Sequence, residues 1–279
     1  MSSNRPELVI ALRAAWGLGA SVVLMSPSWR AAEVNHALDL TGAELAVGDC
    51  PVLADALPMV SLDEATRPSR ALLAKPRPDR EALLVFSSGT TGMPKAVRHT
   101  HASLGAAVAN WRSALDLTSA DRLQVTTPPS HILGLLNLIT ALGTGAWVRL
   151  HRRFDITEML DTIARERITI EMAVAPIALA LAAQQDLEAY DLSSVRFIVW
   201  GATPFIPGVA ETITRRTGLV WITGYGATEL PVIALNPLDD SRPSSVGRPV
   251  GDVQIRIVDP SSGEQLGADQ RGEIVASSN

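Results

Sequence analysis

Lysine is almost absent from this sequence: Lys75 and Lys95 stand alone against 22 arginines. Against such a bias each lysine is a residue to ask about. Cysteine is rarer still. Cys50 is the only one, which excludes an intrachain disulfide and any zinc site built on thiolates, and leaves Cys50 as a small, partly buried apolar residue. Positive charge is not in excess. A net charge of −5 and a pI near 5.6 argue against a general binder of nucleic acid or anionic membrane. Long hydrophobic runs are missing as well. The most apolar stretch, Ile132 to Val148, is interrupted by Asn137, Thr140 and several glycines, and is shorter than the ~20 residues that span a bilayer. The N-terminal MSSNRPELVIALRAAW carries Arg5, Glu7 and Arg13 in and around its apolar run, so it lacks the uninterrupted core of a signal peptide. These absences read as a cytoplasmic protein with no membrane span. What is present, 47% hydrophobic and 19% charged residues over 279 positions, suffices for a sizeable core and excludes wholesale disorder.

Helical and strand patterns alternate along the chain. Pro6 to Trp16 has helical spacing and Gly17 and Gly19 stop it; Ser21 to Met25 reads as a strand. Ser28 is the expected N-cap of a helix through Leu40 that stops at Gly42, and Glu44 to Val47 is a short strand. Leu83 to Phe86 is a continuous apolar run of buried-strand type. Helices are expected over His101–Leu115, Ile132–Leu142, Ile156–Arg167, Ile177–Gln185 and Val209–Thr217. Strands are expected at 122–126, 146–150, 168–174, 195–200 and 219–223. Such alternation points to βαβ units and mostly parallel sheets. Past Arg242 the character changes: Val253 to Val258 alternates with polar residues and Gly263 turns it, as an antiparallel element would.

The most informative segment is Leu84 to Lys95, LVFSSGTTGMPK: a strand, a Gly/Ser/Thr loop, and one of the two lysines. Small residues let backbone N–H groups approach a phosphate, hydroxyls at Ser87, Ser88, Thr90 and Thr91 add donors, and lysine adds a point charge. It is not a Walker A loop, because Gly89 and Gly92 are too close, Pro94 precedes Lys95 and Ala96 follows it. By composition alone the loop could be a phosphate cradle or a plain surface loop.

Residue order says more. The segment resembles the signature loop of the adenylate-forming superfamily, which includes acyl-CoA synthetases, peptide-synthetase adenylation domains and luciferases. It matches at Phe86, Ser87, Ser88, Gly89, Thr90, Thr91, Gly92, Pro94 and Lys95 and departs at Ala96, where glycine is usual. Three more segments follow in the family's order: Pro129-Ser-His-Ile-Leu-Gly134, Gly201-Ala-Thr-Pro204 and Gly224-Tyr-Gly-Ala-Thr-Glu229. Ser245-Val-Gly-Arg-Pro249 and Gly272-Glu-Ile274 resemble the β-rich subdomain beyond. Singly, His131, Tyr225 and Glu229 would read as packing or solvated residues; together with the loop they read as a site.

The resemblance implies an α/β fold of two stacked βαβ-type subdomains with mostly parallel sheets and part of a smaller β-rich subdomain. The expected portions are 1–80 for a first α/β subdomain, 81–240 for the ATP- and acyl-binding one, and 241–279 for the β-rich part, with segments exchanged between the lobes. It implies ATP, Mg²⁺ and coenzyme A as cofactors and co-substrates. The loop with Lys95 would hold the β- and γ-phosphates. His131 would gate the carboxylate pocket. Gly201, Ala202, Thr203 and Pro204 would pack on adenine, with Gly224, Tyr225 and Gly226 beside it. Thr228 would contact the α-phosphate, and Glu229 would bind the metal. Peptide-synthetase domains carry an aspartate near the P-x-x-H region for an α-amino group; Ile132 to Leu142 offers none, which favours a fatty or aryl acid. The resemblance further implies that an N-terminal portion and the C-terminal domain, with its catalytic lysine, lie outside these residues. Two readings therefore stand: an acid–thiol ligase, completed by a missing C-terminal domain or a second chain, and a non-catalytic nucleotide- or acyl-binding remnant.

Overall fold

In the computed structural model the residues described are 1–68, 75–87 and 92–278. Ser88, Gly89, Thr90 and Thr91 of the signature loop lie outside them. The chain divides into two units, Met1–Ala109 with Thr118–Asp155, and Asn110–Leu117 with Ile156–Asn279.

The first unit opens with α1 (Pro6–Gly17), β1 (Val22–Leu24) and α2 (Ala31–Thr41). Pro6 suits the first helical position because its φ is already set and its missing N–H costs nothing there. α2 stops where the sequence predicts, at Gly42 in the left-handed region, φ 62°. Its start differs. The N-cap is Arg30 rather than Ser28: the Glu33 carboxylate accepts the Arg30 N–H at 3.1 Å, while the Ser28 hydroxyl bonds to that of Ser26. Then come β2 (Ala46–Gly48), α3 (Pro51–Ala54), β3 (Met59–Ser61), α4 (Leu62–Ala65), β4 (Glu81–Ser87), β5 (Lys95–Thr100), α5 (His101–Ala114), β6 (Arg122–Val125), α6 (Ile132–Thr144) and β7 (Trp147–Leu150). β1 pairs parallel with β4, β2 with β3, and β6 with β7. β4 and β5 form an antiparallel hairpin, which the reading of βαβ units did not contain.

β4 is the buried heart of this unit. Leu83 and Val85 face a cluster with Leu12, Trp16, Leu24, Leu104 and Leu135. Phe86 faces a second cluster with Met25, Val34, Ala37 and Leu53. Both faces are covered, which is why the strand reads as an uninterrupted apolar run rather than an alternation. The Trp16 indole N–H, donating to the Ala82 carbonyl at 2.8 Å, ties α1 to this strand.

The second unit contains α7 (Ile156–Glu166), β8 (Ile170–Ala173), α8 (Ala175–Ala183), β9 (Phe197–Trp200), α9 (Pro207–Thr217), β10 (Trp221–Tyr225), β11 (Ala234–Leu235), β12 (Arg248–Pro249), β13 (Gln254–Val258) and β14 (Glu273–Ser277). β8, β9 and β10 run parallel; β11 and β12 continue antiparallel from β10. β13 and β14 make a separate antiparallel pair, at the place where the sequence alternates. No helix among the described residues is long and apolar enough to cross a membrane.

One buried amide organises the far end of β10. Asn236, 2% exposed, donates to the Thr223 hydroxyl and to the Ser245 carbonyl, and its side-chain oxygen accepts the Arg242 N–H at 2.8 Å. Loop 241–245 is thereby held against the strand that carries Tyr225. Asn236→Ala strands these groups without partners, and a loss of about 1–3 kcal/mol is expected in urea unfolding. Elsewhere, Arg216 grips both carboxylate oxygens of Glu188 through Nε and Nη2, and also donates to the carbonyls of Gln184 and Gln185. That hydrogen bonding pulls the Glu188 carboxyl from 4.5 down to about 2. A depressed carboxylate contributes stability above its unfolded pKa and loses it as pH falls toward the folded value. Wild type should therefore lose stability between 4.5 and about 2, and Glu188→Gln should flatten that part of the unfolding midpoint's pH profile.

Candidate active site

In the first unit the residues on either side of the signature loop belong to two antiparallel strands. β4 ends at Ser87 and β5 begins at Lys95, and the two residues face each other across the ladder. A Walker loop instead joins a strand to a helix. Gly92 takes φ 95°, a conformation that glycine adopts without strain. Lys95 is exposed and its side chain makes no ion pair or hydrogen bond among the described residues; Ser87 beside it is half-buried. Ala96 packs against the cluster that contains Phe86, Val34 and Ala37, so its methyl group has a place at the position where the resemblance has glycine. His36, which offers no partner in the sequence, lies on α2 with its Nε2 at 3.0 Å from the Pro94 carbonyl.

His131 follows the carboxyl end of β6. It is the N-cap of α6, with extended backbone at φ −101° and ψ 143°. Its N–H donates to the Pro128 carbonyl at 3.0 Å and its carbonyl accepts from Leu135 at 3.1 Å. The imidazole is exposed. Gly134 is required: a Cβ there would strike the Pro128 carbonyl. The preceding turn is braced by Asn4, buried, whose amide donates to the Val125 and Thr127 carbonyls at 3.1 and 3.2 Å. Neither His36 nor Asn4 belongs to a motif, and nothing local in the sequence singles them out.

In the second unit two motifs leave the carboxyl ends of neighbouring parallel strands, where α/β sheets hold ligands. Gly201–Pro204 follows β9. The Thr203 hydroxyl accepts from the Ala175 N–H at 2.9 Å and from the Trp200 indole at 3.2 Å, which pins the turn to the start of α8. Ala202 is exposed and sits in the left-handed region, φ 61°. Gly224 and Tyr225 end β10. A Cβ at Gly226 would strike the Pro231 carbonyl, and the Ala227 N–H donates to Leu230 at 3.0 Å, so the segment closes tightly. Tyr225 and Thr228 are half-buried and Glu229 is exposed.

Among the described residues no group of three or more His, Cys, Asp or Glu could hold a metal ion. Glu229 makes no hydrogen bond or ion pair among them either, and a single open carboxylate suits magnesium that is otherwise held by phosphates and water.

A family model described as AMP-binding enzyme matches residues 1–279. The chain belongs to that family. Curated relatives include 4-coumarate–CoA ligase 1 of Oryza sativa subsp. japonica, 31% identical over 97% of this chain and 55% of the relative. Another is 4-coumarate–CoA ligase 3 of Arabidopsis thaliana, 32% identical over 97% of this chain and 54% of the relative. The chain thus spans about half the length of the curated relatives it matches. Among solved structures, an anthranilate CoA ligase, AuaEII, bound to anthranoyl-AMP superposes with a TM-score of 0.92 at 24% identity, covering 100% of this chain and 58% of that one. The likeness to it is one of fold. An amide bond synthetase, McbA, of Marinactinospora thermotolerans is 29% identical with a TM-score of 0.86, covering 100% and 60%. The o-succinylbenzoate CoA synthetase of Bacillus subtilis, with ATP and magnesium, is 26% identical with a TM-score of 0.87, covering 99% and 59%. The α/β fold with mostly parallel sheets is that of the AMP-binding enzymes.

The family's turn after β9 carries measurable strain here. A left-handed alanine costs about 1–2 kcal/mol, more than the ~0.4–1 kcal/mol that glycine's freer unfolded chain takes away. Ala202→Gly should therefore raise the unfolding free energy slightly, and Ala202→Val should lower it, both read from urea unfolding of the purified variants.

Proposed function

We propose that this chain carries the nucleotide- and acid-binding part of an ATP-dependent acid–thiol ligase whose acid is an aryl acid. The observation that carries the reading is the setting of the signature loop: the strands on either side of it oppose Ser87 to an exposed Lys95 whose side chain has no partner among the described residues, in a chain of the AMP-binding enzyme family that has only two lysines. The 4-coumarate ligases among its relatives favour an aryl over a fatty acid. Ile132 to Leu142, without an aspartate, fits either of these better than an amino acid.

The chemistry joins two anions. A carboxylate oxygen attacks the α-phosphorus of ATP, the bond to the bridging oxygen of the β-phosphate breaks, and pyrophosphate leaves with the electron pair. Coenzyme A then attacks the acyl carbonyl through sulfur and AMP departs. Cations and N–H donors are needed where negative charge gathers. Lys95, with Ser87, Ser88, Gly89, Thr90, Thr91 and Gly92, takes the pyrophosphate end. Thr228 orients the α-phosphate. Tyr225, with Gly224 and Gly226, and the Gly201–Pro204 turn with Ala202 and Thr203 receive adenine. His131 stands at the carboxylate pocket. Glu229 would hold Mg²⁺, which shields charge on the phosphates when bound.

Mg-ATP and AMP at millimolar concentration are each expected to raise the melting temperature, since a ligand that binds only the native state stabilises it by mass action. Absence of any shift would defeat the nucleotide reading. Lys95→Ala should weaken ATP binding by roughly 10- to 100-fold, the size of a lost charge-assisted contact, with AMP binding little changed; equal losses would contradict the role given to Lys95. Nucleotide binding with no affinity for 4-coumarate or benzoate would favour the non-catalytic alternative.

A further inference from the structure

α2 lies under the hairpin that presents Lys95. Its buried Val34 and Ala37 share one cluster with Phe86 of β4, and Ala96 of β5 packs on it. Trp29, just before the helix, meets the Phe86 ring edge-to-face at 5.0 Å. From this base the half-buried His36 reaches up to the loop's exit, with Nε2 at 3.0 Å from the Pro94 carbonyl. A carbonyl only accepts, so Nε2 carries the hydrogen and donates it. Proline has no N–H, and the Pro94 carbonyl is therefore that residue's only backbone polar handle. The peptide unit is planar. Holding the oxygen of Pro94 consequently orients the plane that joins Pro94 to Lys95, and with it the direction in which the Lys95 side chain leaves the backbone. The Lys95 ammonium has no hydrogen bond or ion pair of its own among the described residues, so its direction rests on the backbone that carries it.

We infer that His36 is a positioning residue for Lys95: its hydrogen bond to the Pro94 carbonyl aims the lysine at the triphosphate. The inference rests on the role proposed for Lys95 in holding pyrophosphate oxygens. His36 itself does not touch the nucleotide. Its effect is therefore confined to ligands that carry the β- and γ-phosphates, and it vanishes when the lysine is removed.

The test uses His36→Phe, which keeps a ring and loses the donor, and His36→Gln, which restores an N–H; His36→Leu replaces the first if it does not fold. Loss of one neutral hydrogen bond corresponds to about 0.5–1.5 kcal/mol, roughly a 2- to 10-fold change. Titration of the purified chain should show Mg-ATP affinity reduced by about that factor in His36→Phe, AMP affinity unchanged, and recovery in His36→Gln. In the Lys95→Ala background His36→Phe should have no further effect on Mg-ATP, since the two residues act as one unit. Equal losses for ATP and AMP, or an undiminished effect of His36→Phe without the lysine, would overturn the inference. Amide hydrogen exchange at Lys95 and Ala96 in the nucleotide-free chain supplies a reading that is independent of binding. Faster exchange in His36→Phe than in wild type and His36→Gln supports the anchoring; unchanged exchange refutes it. If wild type bound neither nucleotide while exchange still rose, the proposed function would fall and the anchoring of Lys95's backbone by His36 would stand.

Discussion

Burial of β4 on both faces is the constraint from which the first unit follows. A strand with Leu83 and Val85 on one side and Phe86 on the other must be covered twice. Leu12 and Trp16 of α1 meet the first face and Val34 and Ala37 of α2 meet the second. The return strand β5 brings Lys95 back opposite Ser87, where the covered strand ends. An exposed charge on β5 is thereby mounted beside the doubly covered strand β4. A strand pair anchored in this way can present Ser87 and Lys95 to an anion with little ordering of their backbone left to do at the moment of binding.

The second unit solves a similar problem with close backbone approach. Gly226 and Gly247 stand where any side chain would meet backbone, the Pro231 carbonyl at the first and the Leu235 peptide at the second. Asn236 then satisfies the polar groups that this crowding leaves inside, bonding to Thr223, Arg242 and Ser245. Thr203 performs the same service on the neighbouring strand, its hydroxyl taken up by Ala175 and Trp200. Threonine at that position has a structural task whatever its relation to a nucleotide.

Much of the fold was legible. Helix stops at Gly42 and Gly218, the buried strands of β4 and β9, and the antiparallel stretch from Gln254 to Val258 all carry strong local signals. β5 was not legible as a strand partner of β4. Its sequence KAVRHT mixes exposed Lys95 and Arg98 with buried His99, so neither an apolar run nor a clean alternation marks it. At the start of α2, Ser28 is an attractive cap by type, whereas a Glu33 carboxylate placed one turn into the helix captures the Arg30 N–H. His36 was invisible as a loop anchor, since its acceptor lies 58 residues away.

The sequence by itself determined which chemistry-bearing residues are present and in what order, and so the family to which the chain belongs. Short-range rules suffice for that: glycine where φ turns positive, small and hydroxylated residues around a lysine, apolar runs where strands are buried. Only the tertiary structure decided which polar groups meet. Asn4 finds the Val125 carbonyl, Asn236 finds the Ser245 carbonyl and His36 finds that of Pro94 because packed helices and strands bring distant backbone to within hydrogen-bond reach, and a buried donor takes whichever acceptor the packing delivers.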